Sequence, residues 1–331
     1  MQNKNYNTRS IVEAGLISAL IVILMLINAY VPAFSLVGTF LLPIPVVVLY
    51  IRHGYKVAIS SVVVSAVLIS MLYDPFSALT SAIMFGFIGI TLGYCIKHSK
   101  KFSITMILLS AASLIELIVN YLIYFTFVSK KNLYQTLVET NNMLIESMNN
   151  AQSIYSKFGI STQQIEPMKK AIETVYKPEI FILLIPALLI ISSVLSAYLN
   201  YIISTSVLKK LRYDVCEATP FSEIYVNNRV GTVIIVFILL GMLLNMKNIK
   251  IGAYVLNSSV ILFQVILIFD GITLGYYYLR NKFKMSRGFA ILLIFLVAFQ
   301  PILSKVLMFI GIADMIFDFR KLDSYRRISK V

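Results

Sequence analysis

The chain has 331 residues, 59% of them hydrophobic and only 13% charged, with a mean hydropathy of +0.84. A soluble domain carries about a quarter of its residues charged, so this composition excludes an ordinary soluble enzyme or nucleic-acid-binding module despite the net charge of +14. The basic residues cluster beside apolar runs, as they do in cytoplasmic loops that face anionic lipid.

Several runs reach the roughly 20 apolar residues that cross a bilayer as a helix. They are unbroken rather than alternating, which argues against strand spans. The predicted fold is therefore all-α: a polytopic membrane helix bundle of about eight spans plus a C-terminal broken hairpin, with the N-terminus cytoplasmic.

The first span, Ile11–Val31, is too long for a signal h-region and lacks a small-residue cleavage site, so it is expected to stay. It carries small residues at Ala14, Gly15, Ser18 and Ala19. The second, Leu36–Ile51, is short and holds Pro43 and Pro45. Each proline removes a backbone donor and clashes with the preceding turn. Irregular backbone at membrane depth is tolerated only inside protein or along a cavity, and broken segments mark solute sites in transporters. The alternative is a helix starting after Pro45, with Pro32–Ile44 an outer loop dipping inward.

Val57–Tyr73, Phe76–Ile96 and Ser103–Val128 follow. Gly89 and Gly93 place small residues one turn apart for close helix packing. The string GITLGY at Gly89–Tyr94 returns at Gly271–Tyr276, where Gly271 and Gly275 repeat that spacing; duplication and chance are both open. Glu116 falls near the middle of its span, where a charge costs at least ~2.5–3.5 kcal/mol, so it should face the bundle or be neutral. Asn120 lies one turn on. The two could bind a polar solute or cation, or form a structural hydrogen bond between helices.

Ser129–Lys177 is polar, mixed in charge and expected outside. Leu133, Leu137, Leu144 and Met148, then Met168, Ile172 and Val175 after Pro167, recur at helical spacing. They predict two amphipathic helices joined near Gly159, either functional or merely covering apolar helix ends. Glu179–Val207, Val230–Met246 and Gly252–Leu279 complete the eight. Asp270 sits inside the last of these, with either a functional or an interfacial role. Asn28, Asn257 and Gln264 read as helix–helix hydrogen-bonding groups.

Basic residues alternate by side: Lys4 and Arg9, Arg52 and Lys56, Lys97 to Lys101, Lys209 to Arg212, and Arg280 to Arg287 mark the cytoplasm. The tail, with Arg320, Lys321, Arg326, Arg327 and Lys330, should join them. Gly288–Phe317 must then enter and return as two short helices hinged at Pro301; a ninth span with the tail outside is the alternative. Lys305 and Asp314 read as interfacial.

No Walker A loop, HExxH or GxSxG is present, and the acids form no metal cluster. His53 and His98 sit at span ends, and Cys95 and Cys216 fall on the predicted cytoplasmic side, where no disulfide is expected. No enzyme, metal or cofactor is expected. With no nucleotide-binding domain, ATP-driven transport would need another chain.

The order "EAGLISALIVIL", outer Pro32, "LLPIPVVVLYIRHGYKVAI", Asp74-Pro75 and "SAIMFGFIGITLGY" resembles the S-components, the membrane-embedded substrate-binding subunits of energy-coupling-factor vitamin transporters. Over essentially the whole chain, with its ending "FIGIADMIFDFRK", it resembles more closely the YybS-like predicted membrane proteins. The S-component resemblance implies a six-helix core over residues 1–207, including the extracellular insertion 129–177, followed by additional helices and a basic tail over 208–331. It implies docking of a coupling membrane subunit, which carries two ATPases, at Ala14 and Ser18 or at Gly15 and Ala19. It also places the ligand near the outer side.

The leading expectation is a solute-binding subunit in the bacterial cytoplasmic membrane, with Glu116 and Asn120 on an unknown small solute and the Pro43–Pro45 break shaping the pocket. Asp270 is a further candidate. The second expectation is a non-transporting scaffold or regulator whose basic clusters recruit partners or anionic lipid.

Overall fold

The computed structural model describes residues 8–157 and 177–322, and every regular element among them is helical. Their contacts cluster into two compact units, Met1–Thr136 with Leu189–Ala218, and Leu137–Leu188 with Thr219–Val331. Each is described by itself.

The first unit contains α1 (Thr8–Tyr30), α2 (Pro32–Leu41), α3 (Pro43–His53), α4 (Tyr55–Leu72), α5 (Pro75–Lys97) and α6 (Phe102–Ile123), which runs into a π-helical turn at Tyr124–Ser129. The later part of α8 (Pro178–Lys210) completes it. Helix starts follow local chemistry. Asp74 caps α5 by accepting from the Ser77 N–H at 2.7 Å, and Pro75 occupies the first position, where its missing donor is harmless.

The segment expected as one short span is two helices. Leu42 keeps helical dihedrals and donates to Gly38 O, but Pro43 cannot continue the ladder and becomes the first residue of α3. The helix therefore begins at Pro43, not after Pro45, and Pro32–Leu41 is helical rather than a loop. Every residue from Pro43 to Tyr50 is buried. A methyl group at Gly89 would stand 2.7 Å from Val46 Cβ and 2.9 Å from Pro43 O, and one at Gly93 2.6 Å from Tyr50 Cβ. The small residues of α5 thus let α3 approach closely enough to enclose its broken backbone. Gly54, at φ 87°, makes the turn into α4.

At one end of this unit Glu13 on α1 accepts from Arg52 Nη1 at 2.6 Å and also pairs with His53, while Arg52 Nε donates to the Tyr213 hydroxyl at 2.6 Å. That cluster fixes α1, α3 and the segment after α8.

The second unit contains α7 (Leu133–Lys157) after its first turn, the start of α8, a 3₁₀ turn (Phe221–Glu223), α9 (Asn228–Met246), α10 (Lys250–Asn281), α11 (Arg287–Phe299) and α12 (Pro301–Phe317). On α7, Leu133, Leu137, Leu144 and Met148 are half-buried along one face. The second amphipathic helix and its joint near Gly159 lie outside the described residues, as do Lys4, Arg326, Arg327 and Lys330. α9 and α10 form a hairpin in which methyl groups at Gly241 and Gly252 would strike the facing backbone.

The Gln300-Pro301 interruption separates α11 from α12 with a bend of 107°, so the apolar stretch 288–317 is broken at the expected proline. α12 crosses α10 backbone to backbone. A methyl group at Gly271 would collide with Leu307 O, and one at Gly311 with Leu267 O. Gly275 is a correction to the expected packing pair, because a methyl group there would meet nothing within 4 Å.

Among the described residues seven helices are long and apolar enough to span a bilayer, or eight if the bent pair counts as one. The expected eight spans thus lose Leu36–Ile51 as a single helix. Side chains such as Leu16, Leu20 and Ile23 on α1 and Val63 and Val67 on α4 are exposed. That is the surface of a helix facing lipid.

The Gly271–Gly311 crossing yields a paired expectation. Gly311→Val should destabilise the full chain in mild detergent by about 1–3 kcal/mol through overpacking. Gly275→Ala should not destabilise the protein and should raise its stability by up to about 1 kcal/mol, because only helix propensity changes. Thermal melts of both variants check the contrast.

Candidate functional site

In the first unit the polar positions of α6 share a face. Ser113, Glu116 and Asn120 follow at intervals of three and four, the helical repeat of one stripe. Glu116 is 6% exposed, and Asn120 Nδ2 donates to its Oε1 at 2.6 Å. Ser113 Oγ and Asn120 Oδ1 are buried with no hydrogen-bond partner among the described residues. Glu116 and Asn120 are thus brought together as their spacing predicts. The stripe thus holds a buried hydroxyl and a buried amide oxygen that make no hydrogen bond among the described residues.

A second polar stripe lies on α8, where Asn200 and Ser204 are one turn apart. Asn200 Nδ2 donates to Ser196 O at 2.9 Å, but Asn200 Oδ1 and Ser204 Oγ are buried and unpaired among the described residues. Leu109 of α6 and Ala197 and Tyr201 of α8 belong to one apolar cluster, with the Phe102 and Tyr201 rings edge to face at 5.1 Å. Sequence reasoning passed over Asn200 and Ser204. Their one-turn spacing was a signal, but the serines and threonines around them masked it.

Pro43 and Pro45 are buried in α3, whose break is packed against Gly89. Neither proline lines either of the two clefts described below for this unit.

The small residues of α1 divide by face. Ser18 is 1% exposed, bonds with Ser61 Oγ at 2.8 Å and donates to Ala14 O at 2.8 Å, inside a serine seam that Ser65 extends along α4. Gly15 and Ala19 are exposed, and a methyl group at Gly15 would meet nothing within 4 Å. Ala14, Gly15, Ser60 and Val64 help to line an open cleft of about 280 Å³. Of the two candidate docking pairs, Gly15 and Ala19 are therefore the outward one. Elsewhere in this unit Cys95, buried, and Cys216, exposed, are free thiols lining a cleft of about 200 Å³ with Lys100 and Asp214.

In the second unit Asp270 has partners of its own, and it is not part of the α6 stripe. It is 1% exposed, Asp314 5% and Arg320 6%. Asp314 and Arg320, which the sequence placed at the interface and in the basic tail, are both buried within the protein. Asp318 adopts the left-handed conformation, which aspartate tolerates, and ends α12. The turn lets Phe319 N–H reach Asp314 Oδ1 at 3.0 Å and returns Arg320 to the helix it has just left.

Arg320 then donates Nε and Nη2 to Asp314 Oδ2 at 2.9 and 2.6 Å, and Nη2 to Asp270 Oδ1 at 2.8 Å. Its Nη1 reaches Ile224 O, Ser222 O and Thr273 Oγ1 at 2.8, 3.2 and 3.1 Å. Asp270 Oδ1 also accepts from Val226 N–H at 3.1 Å, whereas Oδ2 is buried without a partner among the described residues. One guanidinium thus faces two carboxylates, beside the Gly271–Gly311 crossing.

Comparison with known proteins gives the chain a family and no activity. The family profile described as "Predicted membrane protein (DUF2232)" matches residues 19–315. The chain belongs to this family, and it is an integral membrane protein. It is similar to the "Uncharacterized protein YybS" of Bacillus subtilis (strain 168), 23% identical over 313 residues that cover 95% of this chain and 98% of that protein. No solved structure matches. The family match includes Asp270 and Asp314 and ends before Arg320.

Removing Arg320 while leaving both carboxylates should be among the most damaging single changes in the second unit. Arg320→Ala should destabilise the protein by about 3–5 kcal/mol, the cost of stripping a buried charge of its partner. Loss of folded protein in a detergent thermal-stability assay checks it.

Proposed function

We propose that the protein is a solute-binding subunit of a membrane transporter, S-component-like in role, with its site on the α6 stripe. The observation that supports this reading is the pair of unpaired buried acceptors, Ser113 Oγ and Asn120 Oδ1, flanking Glu116. A structural hydrogen bond between helices would leave such atoms satisfied, since each orphan costs about 1–3 kcal/mol. A solute presenting N–H or O–H donors, or a cationic group, would satisfy all three residues at once. The carboxylate would anchor it, and the amide and hydroxyl would orient it.

A solute-binding subunit of this kind needs partners for energy. The exposed Gly15–Ala19 face, with the adjoining cleft, suits the close approach of a helix from a coupling membrane subunit that carries ATPases. The alternation of basic clusters along the sequence supports an N-terminus on the cytoplasmic side of the membrane. No catalytic step is assigned to this chain.

A scaffold or regulator is the second reading. It is favoured by the way Arg320 anchors the start of the basic tail within the fold.

The test is purification in mild detergent from native membranes, with mass spectrometry of the copurifying proteins. The transporter reading expects stoichiometric recovery of a coupling subunit and ATPases. It expects their loss from Gly15→Leu, which fills the exposed face without changing the melting temperature. Recovery of neither from the parent, in a preparation where a known S-component retains its own, would contradict it and favour the scaffold.

A further inference from the structure

The cluster of Asp270, Asp314 and Arg320 does not balance electrically. With both carboxylates ionised it carries one net negative charge, in a helix long and apolar enough to span a membrane. Two carboxylates that share one guanidinium out of water leave one negative charge without a partner, which is costly in an apolar interior.

The hydrogen bonds say which oxygen is available. Both Asp314 oxygens are hydrogen-bonded: Oδ2 takes two N–H groups of Arg320, and Oδ1 takes Phe319 N–H. Asp270 Oδ1 takes Arg320 Nη2 and Val226 N–H. Asp270 Oδ2 takes nothing, although it is fully buried. The charged groups acting on Asp270 are Arg320, from the turn after α12, and Asp314, from α12. The segment from Ser222 to Val226 contributes backbone groups to the cluster, and α10 itself the Thr273 hydroxyl, which donates to Asp270 O at 2.9 Å. Neither charged group offers a donor to Oδ2.

We propose that Asp270 is a proton-binding site, with the proton on Oδ2 and Asp314 ionised as the standing partner of Arg320. The proton makes the cluster neutral while every Arg320 hydrogen bond persists, because a protonated carboxyl still accepts through Oδ1. Losing it places an uncompensated negative charge beside the close crossing of α10 and α12. The site is thus built to link proton occupancy to that crossing. The proposal goes beyond the solute-binding reading and does not depend on it.

Infrared spectroscopy of the full-length protein in lipid nanodiscs decides it. The chain is labelled with carbon-13 at the aspartate side-chain carboxyl, which separates aspartate from Glu116. At neutral pH the proposal expects a protonated-carboxyl C=O band that shifts with the aspartate label. The band should vanish in Asp270→Asn. It should vanish also in Asp314→Asn, where Arg320 is left with a single carboxylate to neutralise.

Absence of an aspartate-labelled band in the parent at neutral pH would overturn the proposal, as would a band that survives Asp270→Asn. An alkali cation at Oδ2 would leave both carboxylates ionised and give the first of these results. If Asp270→Asn fails to insert, Asp270→Glu, which keeps the carboxyl but leaves the labelled set, takes its place: loss of the aspartate-labelled band there supports the proposal, and a band that still shifts with the label overturns it.

Discussion

A charge held in an apolar interior must be met by an opposite charge and by hydrogen bonds, and in this protein Arg320 supplies both. Its guanidinium joins α10, α12 and the segment around the 3₁₀ turn at Phe221–Glu223, using a carboxylate from each helix and two backbone carbonyls. The rest of the second unit is arranged so that this can happen. Glycines at 271 and 311 bring the two helix backbones together, and the left-handed Asp318 reverses the chain just beyond.

The first unit solves a different problem. Two of the first three residues of its α3 lack backbone donors, and such a segment survives at membrane depth only when protein encloses it. The α5 residues Gly89 and Gly93 provide the space, and the α1–α4 serine seam packs alongside with its hydroxyls bonded internally. Against the bonded seam, the unpaired buried oxygens of the unit stand out, those on α6 together with Asn200 Oδ1 and Ser204 Oγ on α8. Hydroxyls at Ser18, Ser61 and Ser65 all find partners, while Ser113 Oγ and Asn120 Oδ1 do not. The contrast turns a common feature of membrane helices, buried polar residues, into a specific candidate site.

What was legible in the sequence was local. Apolar runs gave the span-length helices, Gln300-Pro301 gave the break, and the i, i+4 spacing of Glu116 and Asn120 gave their hydrogen bond. Two prolines showed that Leu36–Ile51 was irregular, but not that packing on Gly89 would seal it, because that depends on a helix some forty residues later. Sidedness on α1 was ambiguous for a similar reason. Ser18 and Gly15 are both small, and only the position of Ser61 separates the buried one from the exposed one. What charge counting did not reveal is that Arg320 is buried and paired. A basic residue beside a span end reads as cytoplasmic, and its return to Asp270 requires a turn at Asp318 that composition does not signal.

The central claim is that Arg320 and Asp314 act as one buried unit. A double-mutant cycle on the full chain in detergent, combining Arg320→Met with Asp314→Asn and reading unfolding free energy, tests it most directly. The account predicts that the pair is strongly non-additive, with a coupling of about 1.5 kcal/mol or more, at the upper side of the range for residues in contact. Effects that simply add, within about 0.5 kcal/mol, would mean that the two residues do not meet and would contradict the account.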